Sequence, residues 1–560
     1  MVAVHINGQT AAAADGISLF DCAEGMGIQV PTSCRKQGKC KECVVEVTDG
    51  IEFLTEPTEK ERHLKGRFRL SCQSLVRDAV AAHRDALAGE AATAGAMHSI
   101  HCHTMRRSNL RIESRAFGLP THRASPMDPA VTRDGERIVI DGETIALSRG
   151  PIHGIAMDLG TTTIVLRLFD LERADLIASV SFENPQRFGG SDVMARISYD
   201  GEHRGLLRRT LAGYLTRAIN ELPVDPTSIY EMVVVGNSTM RDLFFGQDVY
   251  SIGQSPYRSI TEIEMAEGKR TTTSLTSTGR RCLLPIHPSA RVFGVPIISG
   301  HVGADAAACM LAVDLANETR LIAVMDIGTN TELIIGNRDR ILAASCPAGP
   351  AFEGGAIACG MPALDGAIED VVLDGDDVQV GVIGGTAAQG ICGSGLVDLL
   401  SELLRTGRMN SLGRFDEAGS RVTVDAANDI YLTEADVNEL AQAKGANVAG
   451  LKVVCSAYGI DFDDIEVFYL AGGFGRHLKV DASRRIGLIP DLPDERIVQV
   501  GNAAIEGACM ALLSRSRRAQ LEQLVARVEH CRLETDPSFF DVFVEGCQFK
   551  PLESAKRVAE

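Results

Sequence analysis

One pattern occurs twice in this chain of 560 residues, and it limits the fold more than any other. Ile155-Ala-Met-Asp158-Leu-Gly160-Thr161-Thr162-Thr163 runs into IVLRLFD. Spaced by 168 residues, Ala323-Val-Met-Asp326-Ile-Gly328-Thr329-Asn330-Thr331 runs into ELIIG. Each copy reads as an apolar strand, an Asp at its end, a glycine turn rich in hydroxyls, and a second strand. A recurrence at that distance predicts a duplicated unit of about that size.

The chemistry of such a turn suits phosphate. Glycine lets the backbone turn sharply and approach an anion closely. Successive N–H groups and Thr hydroxyls donate to phosphate oxygens. A carboxylate at the strand end holds Mg²⁺, commonly through water, because Mg²⁺ dehydrates reluctantly. A single copy is an ordinary polar hairpin, whose Asp bonds only the N–H groups of its own turn. Two copies predict a phosphate site shared by two halves. Gly160, Thr161, Thr162 and Thr163 line one side, and Gly328, Thr329, Asn330 and Thr331 the other. Asp158 and Asp326 act on Mg²⁺ or its waters.

Two further glycine turns follow. Val467-Phe-Tyr-Leu-Ala471 ends in Gly472-Gly473-Phe474, a turn that lets backbone lie against a flat ligand such as adenine or ribose. Ile391-Cys-Gly393-Ser394-Gly395 leads into an apolar stretch with helical spacing, and its Gly393 and Ser394 offer an anion site at a helix start.

The N-terminal region carries a different chemistry. Cys34, Cys40, Cys43 and Cys72 are spaced C-x5-C-x2-C-x28-C. A loop with three thiolates and one distant thiolate suits a four-Cys iron–sulfur cluster. Gly38 lets the loop wrap, and Arg35, Lys36, Lys39 and Lys41 offset the thiolate charge. The competing readings are a structural zinc site, which commonly takes its ligands as two close pairs, and reduced core thiols. Cys22 reads as a buried thiol in a short helix.

Composition limits the rest. The formal charge is −18, from 56 Lys and Arg against 74 Asp and Glu, and no long basic block stands out. Nucleic-acid binding is therefore not expected. No apolar run is long enough for a membrane span, and MVAVHINGQT lacks the pattern of a signal peptide. A reducing, cytoplasmic setting follows, in which clustered Cys reads as metal or redox ligand. Without Trp, the core must be built from Ala, Val, Ile and Leu. From 83 to 152 pattern is weak. HSIHCHT reads as linker, with His98, His101, Cys102 and His103 as a lesser metal candidate, and ERIVIDGETIAL as a strand pair turning at Asp141-Gly142.

Residues 1–80 resemble a [2Fe–2S] ferredoxin domain, from the opening hairpin and short helix to the cluster loop. The two hairpins and the Gly472-Gly473 turn, in that order, resemble the phosphate and adenosine motifs of the actin, sugar-kinase and chaperone ATPases. Asn184-Pro-Gln-Arg-Phe-Gly-Gly-Ser-Asp192-Val, Gly236-Asn-Ser-Thr-Met240 and Ser345-Cys-Pro-Ala-Gly-Pro-Ala-Phe352-Glu353-Gly-Gly355 narrow the likeness. Together they resemble the ATP-dependent reductive activators of corrinoid proteins.

That resemblance implies an α+β, β-grasp ferredoxin-like domain over 1–82 and a linker with a small strand pair over 83–152. A duplicated α/β ATPase then has halves at 153–320 and 321–560. It implies a [2Fe–2S] cluster on the four cysteines, ATP and Mg²⁺ as cofactors, an upstream electron donor, and a homodimer. The activity implied is delivery of one electron to Co(II) of a corrinoid protein or corrinoid methyltransferase, restoring Co(I) at the expense of ATP. A small-molecule kinase with an appended redox-regulatory ferredoxin domain shares the cleft and is the main alternative. Activators of radical dehydratases and an ATP-binding redox sensor are the others.

Overall fold

The computed structural model describes residues 1–32, 34–77, 98–105, 119, 125–375, 377–416, 421–473 and 478–554. It divides into two compact units. One is Met1–Asn109 with Phe182–Glu221, and the other is Leu110–Ser181 with Leu222–Glu560.

The first unit is built on five strands. β1 (Val2–Ile6) and β2 (Gln9–Ala13) form a hairpin whose turn is Asn7-Gly8, both at positive φ (49° and 81°). Such a turn matches the twist of the strands it joins. Helix α1 (Leu19–Gly25) follows, its first turn capped by Ser18 Oγ, which accepts from the Asp21 N–H at 3.1 Å. β3 (Val44–Asp49), β4 (Phe68–Leu70) and β5 (Ser99–Thr104) complete the sheet in the order β2-β1-β5-β3-β4.

β5 corrects the reading of HSIHCHT as linker or metal site. The segment is the central strand, parallel to β1 and antiparallel to β3. Its period of two buries Ile100, Cys102 and Thr104 on one face. His101 stacks on His5 of β1 with ring centroids 4.2 Å apart.

Phe182–Glu221 completes this unit with α2 (Val193–Glu202) and α3 (Leu206–Asn220). Leu207, Leu211, Leu215 and Ile219 recur every four residues and give α3 its buried face. Three polar ties hold the segment down. Arg187 pairs with Glu46, Tyr199 Oη donates to the His63 carbonyl at 2.8 Å, and Arg217 Nη1 donates to the Gln29 carbonyl at 2.8 Å.

The second unit opens with a small sheet of β6 (Val131–Asp134), β7 (Arg137–Ile140) and β8 (Glu143–Leu147). Its second turn, Asp141-Gly142, has both residues at positive φ. Two six-stranded sheets follow. The first contains β9 (His153–Leu159), β10 (Thr163–Asp170), β11 (Asp175–Glu183), β12 (Ile229–Val235), β13 (Leu275–Thr278) and β14 (Arg291–Gly294), in the order β11-β10-β9-β12-β14-β13. The second contains β15 (Ile322–Asp326), β16 (Thr331–Gly336) and β17 (Ile341–Cys346). A three-stranded sheet of β18 (Ala367–Asp374), β19 (Asp377–Val382) and β20 (Gly390–Ile391) and the hairpin β21 (Arg421–Asp425) and β22 (Ile430–Thr433) come next in the chain. β23 (Val467–Ala471), β24 (Ile497–Gly501) and β25 (Val528–His530) then complete the second large sheet as β24-β23-β15-β16-β17-β25.

The duplication is visible in these orders. β11-β10-β9-β12-β14 and β17-β16-β15-β23-β24 are the same run: three antiparallel strands, then two parallel to the innermost. The remaining helices include α4 (Ser238–Phe245), α5 (Ile260–Ala266), α6 (Ala304–Ala312), α7 (Gly393–Arg405), α8 (Glu434–Tyr458), α9 (Val480–Arg485), α10 (Ala503–Leu513), α11 (Arg515–Val525) and α12 (Phe539–Gly546).

α6 and α10 are made of small apolar residues and are buried on nearly every side. Gly507 lets them close: a Cβ there would lie 2.1 Å from the Ala308 carbonyl. One core joins both helices to Ala156, Val233, Val324 and Ala471 of the two large sheets. Among the described residues, no helix is long and apolar enough to cross a membrane.

Candidate functional site

The four cysteines lie in two pairs. Cys43 Sγ is 3.3 Å from Cys72 Sγ, and Cys40 hydrogen-bonds to Cys34 through its thiol and its amide. The loop between them is wound in left-handed backbone: Arg35, Lys36, Gly38 and Lys41 all have positive φ, between 51° and 68°. Three of these are not glycine, which is uncommon in one short loop. This winding turns N–H groups inward. Those of Gln37, Lys39 and Cys40 reach Cys34, and that of Gly38 reaches Cys72. Gln73 Nε2 donates to Cys72 Sγ at 3.3 Å.

Burial raises the Cys34 thiol, but these hydrogen bonds outweigh it and hold it down at about 7. The hydrogen bond from Cys43 brings Cys72 to about 6, and Cys43 is raised in return. Cys34 and Cys72, so hydrogen-bonded, suit thiolate ligands. A two-iron cluster takes two ligands per iron, which two pairs supply. Among the described residues no three His, Cys, Asp or Glu converge on a single metal position. Cys22 is a buried helix thiol raised by burial. Lys36 does not serve the thiolates as expected: it pairs with Asp21 (2.7 Å) and Glu24 (2.8 Å).

In the second unit the two repeated turns face one another. Asp158, next to last in β9, and Asp326, at the end of β15, are brought into one electrostatic field. Asp158 Oδ2 accepts from Asn502 Nδ2 at 2.8 Å, and Asp326 Oδ2 from the Cys309 thiol at 3.3 Å. Burial raises Asp158 to about 7, with Asp326 adding to it, and raises Asp326 to about 6.

Two more acids share the pit. Asp305, in the first turn of α6, is raised to about 7 by burial and then by Asp158 and Asp326. Glu332 lies directly opposite Asp326 across the β15–β16 pair and is raised well above its ordinary value by burial and by Asp305. Ser345 Oγ donates to Glu332 Oε1 at 2.9 Å, while Oε2 has no hydrogen-bond partner. Four carboxyls without direct convergence fit a cation held through its waters.

The turns themselves are tight. The Gly160 N–H donates to the Thr163 carbonyl at 2.9 Å. Thr161 Oγ1 accepts from Asn237 Nδ2 at 2.8 Å. Thr162 Oγ1 and Thr329 Oγ1, one from each turn, are 2.9 Å apart, and both donate to Glu353 Oε2. Asn330 is half-buried, and Thr331 is buried in β16.

The loops after β12 and β23 occupy matching places. Gly236 (φ 145°) and Gly472 (φ 118°) each press on the turn beside them. A Cβ at either would lie 2.4 Å from a carbonyl, that of Leu159 or of Ile327. Gly236-Asn237, which sequence alone left without a role, is thus the counterpart of Gly472-Gly473. Gly393 and Ser394 begin α7, where both are buried. Phe474 lies outside the described residues.

Asp305, Glu332, Asn237, Glu353 and Asn502 had no assigned role in the sequence. Glu332 left a signal there: six residues after Asp326 across a short turn, a hairpin register places it opposite. Asn237 and Glu353 stand in the stretches that narrowed the likeness, which gave them no role.

Comparison with known proteins agrees with this anatomy. Residues 4–77 match the 2Fe-2S iron–sulfur cluster binding domain. Residues 153–318 match the RACo middle region, and 320–558 the C-terminal domain of RACo, the ASKHA domain. The corrinoid activation enzyme RamQ of Eubacterium limosum is 28% identical over 94% of this chain and 95% of its own. The [Co(II) methylated amine-specific corrinoid protein] reductase of Methanosarcina barkeri is 25% identical over 73% of this chain and 80% of its own. Among solved structures, a reductive activator for corrinoid, iron–sulfur protein superposes with a TM-score of 0.69 at 25% identity, covering 98% of this chain and 99% of that one. The two RACo regions follow one another over more than half of the chain, behind a cluster domain of the expected kind. The chain therefore belongs to the family of reductive activators of corrinoid-dependent proteins, which join a [2Fe–2S] ferredoxin domain to an ATPase of the actin and sugar-kinase type.

Proposed function

We propose that this chain is an ATP-driven activator that passes one electron to Co(II) of a corrinoid protein or corrinoid methyltransferase and restores Co(I). A single observation carries the reading. One chain holds two thiol pairs in one unit and two facing copies of a glycine-hydroxyl hairpin turn in the other, and its relatives are named for corrinoid activation or reduction.

The cluster supplies a one-electron carrier, held by Cys34, Cys40, Cys43 and Cys72. Plant-type centres of this kind sit near −400 mV, and Co(I) formation is generally harder than that. Each ~59 mV of one-electron gap costs about tenfold in equilibrium, so the transfer needs coupling. The cleft provides it by closing on ATP and changing the affinity for the corrinoid partner between states. Asp158 and Asp326 act on Mg²⁺ or its waters. The turns Gly160–Thr163 and Gly328–Thr331 take phosphates, Gly393 and Ser394 add donors, and Gly472 and Gly473 lie beside the nucleoside with Phe474.

In this reading residues 1–82 carry the electron, with Phe182–Glu221 folded against them, and the rest of 153–320 together with 321–560 supplies the two walls of the cleft. The protein works in the cytoplasm as a homodimer, fed by a separate reductant.

The test is anaerobic. Protein with about two irons and two sulfides per chain is mixed with a Co(II) corrinoid partner, and cobalt absorption is followed. Co(I) appears with ATP and not with a non-hydrolysable analogue, and Cys40→Ser hydrolyses ATP yet transfers no electron. Equal Co(I) without nucleotide refutes the coupling. Phosphorylation of a small metabolite would favour the kinase reading.

A further inference from the structure

The hydroxyls that the sequence assigns to phosphate oxygens are engaged by a carboxylate. Thr162 Oγ1 donates to Glu353 Oε2 at 2.8 Å, and Thr329 Oγ1 donates to the same oxygen. A carboxylate oxygen and a phosphoryl oxygen make the same demand on such donors, as anionic acceptors of short O–H···O bonds. They cannot both have it. The pit beside them already holds Asp158, Asp305, Asp326 and Glu332, and a further pair of like charges in a buried site is strongly unfavourable.

We propose that Glu353 is a built-in anion that occupies the phosphate seat between the two hairpin turns, and that nucleotide binds by displacing it. Glu353 thereby sets nucleotide affinity and couples phosphate entry to movement of the segment that carries it. This rests on the reading of the two turns as the nucleotide site.

The backbone around Glu353 suits that role. Ala351–Glu353 is a single 3-10 turn bracketed by Gly349 (φ 78°) and Gly354 (φ 81°), and Ala356 follows at φ 62°. Left-handed backbone on both sides marks a segment held by its contacts and not by regular structure. Those contacts run to the same turn: the Gly349 N–H donates to the Thr329 carbonyl at 2.9 Å. Phe352 is buried in the core of the second half. Withdrawal of the Glu353 carboxylate therefore releases one tie to the phosphate turn, while the Gly349 bond and the Phe352 side chain carry the motion inward.

Calorimetric titration of the full, cluster-loaded chain with MgATP and with orthophosphate tests this. Glu353→Gln keeps the size and removes the charge, and it is expected to bind MgATP at least about tenfold tighter. Glu353→Asp keeps the charge but retracts it by one methylene, and is expected to fall between. In the wild-type chain, amide exchange over residues 349–357 should quicken when MgATP is added. In Glu353→Gln it should be fast already. MgATP binding by Glu353→Gln no tighter than wild type, or wild-type exchange indifferent to MgATP that demonstrably binds, overturns the proposal. A wild-type chain that gives no binding heat with any nucleotide instead sinks the nucleotide reading itself, and this proposal with it.

Discussion

Asp326 faces Glu332 across one strand pair and shares its pit with Asp158 and Asp305. Its carboxyl and those of Asp158 and Asp305 lie at about 6 to 7 in the folded chain, against an ordinary value near 3.8. The folded state thus holds more protons than the unfolded state between those limits, and stability is lost as pH rises through that window. Without nucleotide or Mg²⁺, the cleft is at its least stable above pH 7. Asp326→Asn should abolish most ATP hydrolysis and leave the cluster spectrum unchanged. It should also raise the apo melting midpoint by about 1–3 °C at pH 8, with the gain shrinking toward pH 5. A melting midpoint lowered at pH 8 would show that burial does not penalise the Asp326 carboxylate as its raised value requires.

Asp158 and Asp326 were legible in the sequence because each stands inside a repeat. Asp305, Asn502 and Glu353 come to the same place only through tertiary folding, from a helix start, a strand end and a 3-10 turn. Nothing local to those segments marks a partner.

At the scale of elements, alternation decided what could be read. The two hairpins and the Asp141-Gly142 turn follow from short patterns with strong turn residues. β5 has the same alternation, but its histidines suggested a polar linker, and its parallel pairing with β1 depends on residues nearly a hundred positions away.

The contact of α8 with α12 is another element-level feature without a sequence signal. Lys444 is fully buried in α8 and donates from Nζ to the Gln548 carbonyl at 2.8 Å and to the Gly546 carbonyl. Burial lowers its ammonium group to about 7. The neutral amine still has two N–H groups for the two carbonyls. Since the unfolded lysine titrates near 10.5, the folded state holds fewer protons between 7 and 10.5. Stability therefore rises with pH across that window. Lys444→Met strands the Gly546 carbonyl and leaves that of Gln548 with only the Lys550 N–H at 3.1 Å, and should cost about 1–3 kcal/mol at pH 9, with a smaller deficit at pH 6. Urea unfolding at the two pH values checks it. A deficit independent of pH would mean the amine keeps its charge.

The whole molecule shows a division that its sequence order concealed. A ferredoxin domain, one connection and an ATPase would be joined at a single crossing. The chain instead passes between its two units three times, because Phe182–Glu221 folds with the N-terminal unit although it lies inside the segment that matches the RACo middle region. Electron carrier and nucleotide cleft are thus linked through β11 and the start of the 222–235 segment as well as through the stretch after β5. Each unit nevertheless has its own sheets and its own site, which predicts two calorimetric transitions. A ligand that binds only the folded form stabilises its own unit by RT ln(1 + [L]/Kd), about 2.7 kcal/mol at a hundredfold excess over Kd. For a unit the size of Leu110–Ser181 with Leu222–Glu560, this is a rise of about 3 °C. MgATP should raise that transition alone. Cys40→Ser, which removes one of the four proposed cluster ligands, should lower only the transition of Met1–Asn109 with Phe182–Glu221. The second transition should respond to MgATP in Cys40→Ser as it does in wild type. One transition shifted equally by both changes would mean that the two units unfold as a single cooperative block. Coupling of ATP to electron delivery would then have to run through global stability, and not through distinct states of two separately stable parts.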